Sequence, residues 1–199
     1  MSVRAVFFDL GGVIVRTEYQ APREHLAERL NMTYEDLSNL IFASKTSRLA
    51  SLGEMTTEEH WESVTQRLGK PASEAAAIRE EFFAGDVVDR DLVEHVRSLR
   101  PRYKTALLSN AWPDTREYVI RQKFSDVFDT MIISAEVGVM KPDPRIFQTG
   151  LEQLGVAGTE AAFVDDTVAN VDAARALGMR AILFRNHAQL ISELAAVLE

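Results

Sequence analysis

Val3-Arg4-Ala5-Val6-Phe7-Phe8-Asp9-Leu10-Gly11-Gly12-Val13 is the stretch on which the fold turns. The run Val3–Phe8 has strand length and is apolar on both faces, the pattern of a strand buried within a parallel sheet. It stops at a carboxylate, Asp9, and Gly11-Gly12 then supplies a flexible turn by which the chain leaves the strand.

Runs of the same kind recur at Thr105–Leu108, Met131–Ile133, Ala162–Val164 and Ala181–Phe184. Helical periodicity lies between and after them, in Leu92, Val96 and Leu99, in Phe147, Leu151 and Leu154, and in Leu190, Ile191, Leu194 and Leu198. Strands alternating with helices predict an α/β fold, a doubly wound, Rossmann-like parallel sheet covered on both faces.

From Asp9 to Ser109 the chain runs about a hundred residues, where a crossover needs about a dozen. The excess, from Glu18 to Asp86, reads as helices only: Leu26 and Leu30; Leu37, Leu40 and Ile41; Trp61, Val64 and Leu68; Ile78 and Phe82. Thr33 with Asp36 and Thr56 with Glu59 have capping-box spacing, and Gly69-Lys70-Pro71 separates two helices. The expected organisation is an α/β core of residues 1–15 and 90–199, with a small all-helical cap of residues 16–89 inserted.

Of the 199 residues, 46% are hydrophobic, enough for a substantial core. A net charge of -8 works against a sequence-independent grip on nucleic acid or an anionic membrane, so a small anionic substrate needs a local cationic pocket. Without cysteine there are no disulfides, thiolate nucleophiles or cysteine-held metals. The first apolar run is too short for a signal peptide or membrane span, which predicts a soluble, cytoplasmic protein. His25, His60, His95 and His187 are too dispersed for a zinc motif, and neither G-x-S-x-G nor a Walker-type lysine loop is present.

Ligands of an open parallel sheet bind beyond the carboxyl ends of its strands. Asp9 follows the first strand-like run, Ser109-Asn110 the second and Asp165-Asp166 the fourth. Each is an ordinary strand-ending or helix-capping residue by itself, and either member of the acidic pair fits the N-cap of the helical pattern Val168–Leu177. Together they converge on one edge. Three carboxylates there repel and raise one another's pKa unless a cation lies among them, and an oxygen-only donor set points to magnesium. Lys141, within Val139-Met140-Lys141-Pro142-Asp143-Pro144, falls on a loop before a helix capped by Asp143. A cation there would hold Asp9 ionised.

Four segments now stand in order: Phe7-Phe8-Asp9-Leu10-Gly11-Gly12-Val13, Leu107-Leu108-Ser109-Asn110, Lys141-Pro142-Asp143-Pro144, and Phe163-Val164-Asp165-Asp166 with Asn170 behind it. They resemble the four motifs of the haloacid dehalogenase superfamily of hydrolases, and the helical insert is similar to the cap of many members. The resemblance implies that Asp9 is a nucleophile that becomes an aspartyl-phosphate. It implies that Ser109, with Asn110, binds the transferred group and that Lys141 balances its charge. Asp166, with Asp165 in support, would hold Mg2+ together with an Asp9 oxygen and the Gly11 carbonyl. The implied activity is a magnesium-dependent phosphatase acting on a small phosphorylated metabolite, as a monomer or homodimer.

Gly11 departs from that pattern, because family phosphatases carry a second Asp there that protonates the leaving alcohol and then activates water. The backbone contact to metal survives the change; general acid/base help, typically worth about 10²–10⁴-fold, does not. The expectation is selectivity for acyl, aryl or anomeric phosphates, or a substitute acid such as Glu18 or a cap residue. Two alternatives need no acid at Gly11: a 2-haloacid dehalogenase, and a catalytically impaired metabolite-binding protein. Trp112 either lines the pocket or packs between loop and helix, and Arg16 is placed to meet an anion near the mouth of the site.

Overall fold

The computed structural model describes residues 2–198. The chain begins with β1 (Ala5–Phe8) and β2 (Val15–Thr17), then passes through α1 (Ala21–Arg29), α2 (Tyr34–Phe42), α3 (Lys45–Ser51), α4 (Thr57–Arg67) and α5 (Ala75–Phe83). It returns along β3 (Asp86–Val88), α6 (Arg90–Leu99), β4 (Lys104–Ser109), α7 (Thr115–Arg121) and β5 (Thr130–Ile133). After the single turn α8 (Ser134–Val137) come α9 (Pro144–Leu154), β6 (Ala161–Asp165), α10 (Val168–Ala176), β7 (Arg180–Leu183) and α11 (His187–Leu198).

Five strands form one parallel sheet in the order β5-β4-β1-β6-β7. Its central strand, β1, sets Phe8 opposite Leu107 of β4 on one side and Val164 of β6 on the other. Asp9 therefore emerges level with Leu108 and Asp165, and its N–H donates to Val164 O at 2.9 Å. The chain builds outward from β1 through β4 and β5, then crosses back to β6, which places the topological switch point beside Asp9.

Alternation along β1 sorts the core into two layers. Val6 and Phe8 join Leu107, Val164 and Ile182 beneath Leu92 and Val96 of α6 and Leu190 and Leu194 of α11. Phe7 faces the other way, with Leu108, Ile132 and Phe163, against Ile146, Phe147 and Leu151 of α9. Each phenylalanine so buried contributes about 1.5–3 kcal/mol. A Cβ at Gly150 would lie 2.8 Å from the Phe7 ring, so a glycine there lets α9 approach the sheet closely.

Helices α1–α5 enclose a third cluster of their own, built on Leu26, Leu37, Ile41, Trp61, Val64, Ile78 and Phe82. Thr56 and Glu59 form the reciprocal capping box. Thr33 caps α2 through the Asp36 N–H, but the Asp36 carboxylate accepts from the Thr33 hydroxyl and not from its backbone, so no box closes there.

The insert is not helical throughout. β2 and β3 pair antiparallel, Val15 with Val88 and Thr17 with Asp86, at the two points where the chain leaves and re-enters the sheet domain. Three residues are too few to show a period of two, and the ribbon depends on distant partners: Thr17 Oγ1 donates to Asp86 at 2.8 Å, and buried Arg23 donates to both Asp86 oxygens at 2.8 and 3.0 Å. No helix of the described residues is long and apolar enough to cross a membrane.

Candidate active site

Asp9 is 8% exposed. Its Oδ1 accepts the Leu10 N–H at 2.7 Å and pairs with Lys141 Nζ at 2.9 Å, while no described residue donates to Oδ2. Lys141 is itself buried, and its ammonium also donates to Asp165 Oδ2 at 2.6 Å and to Leu108 O at 2.9 Å. Three acceptors match the three donors of an ammonium, the condition under which such a charge tolerates burial.

Asp165 is fully engaged. Its Oδ1 accepts from the Thr167 N–H at 2.8 Å and from Asn170 Nδ2 at 3.0 Å, and its Oδ2 holds Lys141. Neither acidic residue is the N-cap of α10; Thr167 occupies that position, and its side chain does not cap. The N-cap falls one residue after the pair and the helix starts at Val168, Asp165 being still the last residue of β6.

Asp166 stands exposed beside Gly12. A Cβ on Gly12 would come within 1.9 Å of Asp166 Oδ2, and the φ of +77° also favours glycine, so the second residue of the Gly-Gly pair makes room for this carboxylate. Asp9, Asp165 and Asp166 each offer an oxygen within 4.8 Å of the others. Such a hard, all-oxygen set suits magnesium, and lone pairs remain available chiefly on Asp9 and Asp166.

Burial raises the Asp9 carboxyl to about 6, with Lys141 opposing the rise and Asp165 adding to it. Burial also raises Asp166, again with Asp165 in the same direction. The expected effect of Lys141 is present but is outweighed by loss of solvent, and a cation among the carboxylates would reverse both shifts.

The loop after β4 is clamped. Asn110 Nδ2 donates to Lys141 O at 2.8 Å and its Oδ1 accepts the Lys141 N–H at 2.7 Å, so this amide holds the lysine loop. Ser134 Oγ accepts the Ala111 N–H at 2.9 Å. Ser109 lies between these anchors and Asp9's neighbour Leu108, 3% exposed at the strand end. Asp143 caps α9 through the Arg145 N–H, with Pro144 in the first turn, as its sequence predicts.

Gly11 is exposed, and a Cβ on it would meet nothing within 4 Å. Glu18 pairs with Arg16 at 3.0 Å, and Arg16 pairs with Asp89 at 2.9 Å and donates to Val13 O at 2.8 Å. Both side chains thus serve the ribbon in this structure. The Trp112 ring is partly buried against the cluster of the insert, and its Nε1 donates to Ser47 Oγ at 3.3 Å. His60 is buried against Thr46 and His187 pairs with Asp89, and the carboxylate cluster includes no histidine. The clearance at Gly12 and the Asn110 clasp carry no signal in the sequence beyond the residue types, since each depends on a partner far along the chain.

A model of the haloacid dehalogenase-like hydrolases matches residues 3–178. Bifunctional epoxide hydrolase 2 of Rattus norvegicus is 26% identical over 217 residues, a match that takes in 99% of this chain and 39% of that protein. The chain thus spans well under half the length of that relative. Phosphatase MT3486 of Mycobacterium tuberculosis is 27% identical over 215 residues, covering 100% of this chain and 98% of the relative. Among solved structures, a HAD family enzyme of Bacteroides thetaiotaomicron in complex with magnesium and inorganic phosphate has a TM-score of 0.79 at 22% identity, covering 94% of this chain and 98% of that one, a likeness of fold.

Proposed function

The chain belongs to the haloacid dehalogenase-like hydrolases, and from that premise we propose that it is a magnesium-dependent phosphatase of small phosphorylated metabolites with Asp9 as nucleophile. The observation that carries the reading is the gathering of Asp9, Asp165 and Asp166, with an oxygen of each within 4.8 Å of the others and the Lys141 ammonium paired to the first two, at the switch point of the sheet. The 16–89 insert acts as a helical cap over this edge.

An Asp9 oxygen, Asp166 and the Gly11 carbonyl would hold Mg2+, which when bound supplies positive charge against the phosphoryl dianion. Asp9 attacks phosphorus, and the bond to the leaving oxygen breaks with its electron pair on that oxygen. Ser109 donates a hydrogen bond to the transferred group. Lys141, held by Asp165 and the Asn110 clasp, offsets charge as the group arrives. Water then attacks the aspartyl-phosphate, and inorganic phosphate leaves with Asp9 restored.

Without a carboxylate at Gly11 the leaving group departs unprotonated, so acyl, aryl and anomeric phosphates are favoured over alkyl esters. Phosphate release from a panel of these esters, with and without magnesium, is the test. Release that needs magnesium and disappears in Asp9→Asn is expected; none across the panel, or chelator-resistant halide release from a 2-haloacid, overturns the reading.

A further inference from the structure

Three rings meet at the edge of the insert cluster: Phe42 and Phe83 of the insert, and Trp112 of the loop after β4, the last two partly buried against that cluster. Phe42, at the end of α2, is 48% exposed. Its ring centroid lies 6.0 Å from that of Trp112, with planes 21° apart, and 6.1 Å from that of Phe83. Phe83 and Trp112 complete the triangle at 6.3 Å. Buried Phe82 lies against Phe42 and Phe83 at 5.5 and 5.1 Å, so the triangle has a rigid apolar floor.

The triangle belongs to the strand-end edge of the sheet. Trp112 follows Ser109 by three residues, which limits their Cα separation to about 11 Å. The intervening Asn110 and Ala111 are clamped to Lys141 and Ser134. Asp114, just beyond, accepts from Thr57 of α4 at 2.8 Å and pairs with Arg79 of α5, which fixes the insert against this loop. Rings from the insert and from the loop after Ser109 therefore meet within a few residues of the strand end that carries Ser109.

The open volume at Gly11 gives an independent constraint. No side chain there protonates the leaving oxygen, and a Cβ would meet nothing within 4 Å. Chemistry asks for a leaving group that departs as an anion, and an aryl oxide, of pKa about 10 or below, does so far more readily than an alkoxide. Planar rings are also what an aromatic surface binds best.

We propose that Phe42, Phe83 and Trp112 receive a planar aromatic leaving group, so that the substrates are aryl phosphate monoesters. This rests on the phosphatase reading above and narrows it. As an Asp9 oxygen bonds to phosphorus, the bond from phosphorus to the aryl oxygen breaks; the electron pair stays on the aryl oxide, which takes its proton from solvent. Water supplies the oxygen and protons of the second step, so that ester and water give phenol and inorganic phosphate.

The test uses phosphonates, whose carbon–phosphorus bond resists cleavage, on the full chain with magnesium. Phenyl-, cyclohexyl- and methylphosphonate are compared by competition and by quenching of Trp112 fluorescence, with Trp112→Phe removing that signal. Phenylphosphonate is expected to bind about tenfold more tightly than the other two, the upper end of one aromatic contact. Phe42→Ala, at an exposed site, should bring the ratio towards one. Equal affinities for phenyl and cyclohexyl, or a phenyl preference that survives both Phe42→Ala and Phe83→Ala, overturn the proposal. Acetyl phosphate, which has no ring, separates the two claims: its magnesium-dependent turnover without phenyl preference sinks only this proposal, and absence of both sinks the phosphatase reading as well.

Discussion

The Asp166 carboxylate occupies the volume that a side chain on Gly12 would need, its Oδ2 lying 1.9 Å from the Cβ position. Glycine is thus required twice over, by a φ of +77° and by its neighbour. Gly12→Ala should destabilise the chain by roughly 1–2 kcal/mol from backbone conformation alone and weaken magnesium binding further by displacing Asp166. Gly11→Ala, which meets no atom, is the comparison that should retain magnesium binding. Calorimetric titration with magnesium and thermal unfolding of the two variants check both statements.

The two adjacent carboxylates should separate in their effects. Asp165→Asn removes one of the two carboxylates paired with buried Lys141 and is expected to cost roughly 3 kcal/mol of stability. Asp166→Asn, at an exposed position, should leave stability within about 0.5 kcal/mol while weakening magnesium binding. Denaturant melts set beside magnesium titrations read the two roles; equal loss of stability in both variants would refute the division.

Burial raises Asp9 from its ordinary 3.8 to about 6, so between those values the folded chain holds a proton that the unfolded chain has released. The stability this group contributes is full below about pH 3.8 and is lost as pH rises through about 6. Without magnesium, Asp9→Asn should therefore gain on the parent as pH increases from 4 to 8, by roughly 3 kcal/mol at most. Magnesium should shrink the gap at the high end, because it stabilises the charged form. A difference in melting temperature that does not change with pH would contradict the shift.

A plot of log kcat/KM against leaving-group pKa should be steep in the parent protein, since Gly11 offers no positioned acid. Gly11→Asp has open space around its Cβ and should flatten the plot, raising rates on alkyl esters by up to about 10²–10⁴-fold. A flat plot in the parent would mean that another residue already donates the proton.

On the proposed mechanism, the missing side chain at Gly11 also leaves the attack of water on the aspartyl-phosphate without a general base. Good aryl substrates should therefore give a burst of phenol, one equivalent per enzyme, before steady turnover, visible by stopped flow. Absence of a burst with activated esters would place the slow step at phosphoryl transfer.

The sheet was readable because β1, β4 and β6 are buried on both faces, and unbroken apolar runs ending at Asp9, Ser109 and Asp165 leave few other placements. The helical insert was readable for the same reason, through stripes such as Trp61, Val64 and Leu68. Helix α3 and the β2–β3 ribbon were not. Lys45–Ser51 has a single large apolar residue, Leu49, and its start is fixed by the Ser44 cap, while the ribbon is held by Arg23 and Asp86, 63 residues apart. Asp9, Lys141 and the acidic pair could be named as a set because each ends or follows a strand. Which acidic residue binds lysine and which faces outward depended on Thr167, Asn170 and Gly12, whose contacts arise only on folding.

Val15 and Val88 are partners in the ribbon, so the polypeptide departs from the sheet and comes home at adjacent points. Whatever is strung between them must meet this doorway and the loop after β4, where Trp112 and Asp114 hold the present insert. Beyond those two meeting points the sheet sets no length for that cargo, which makes the insert a cassette: other helical units that keep both could be grafted at the same threshold without redesign of Asp9 and its surroundings.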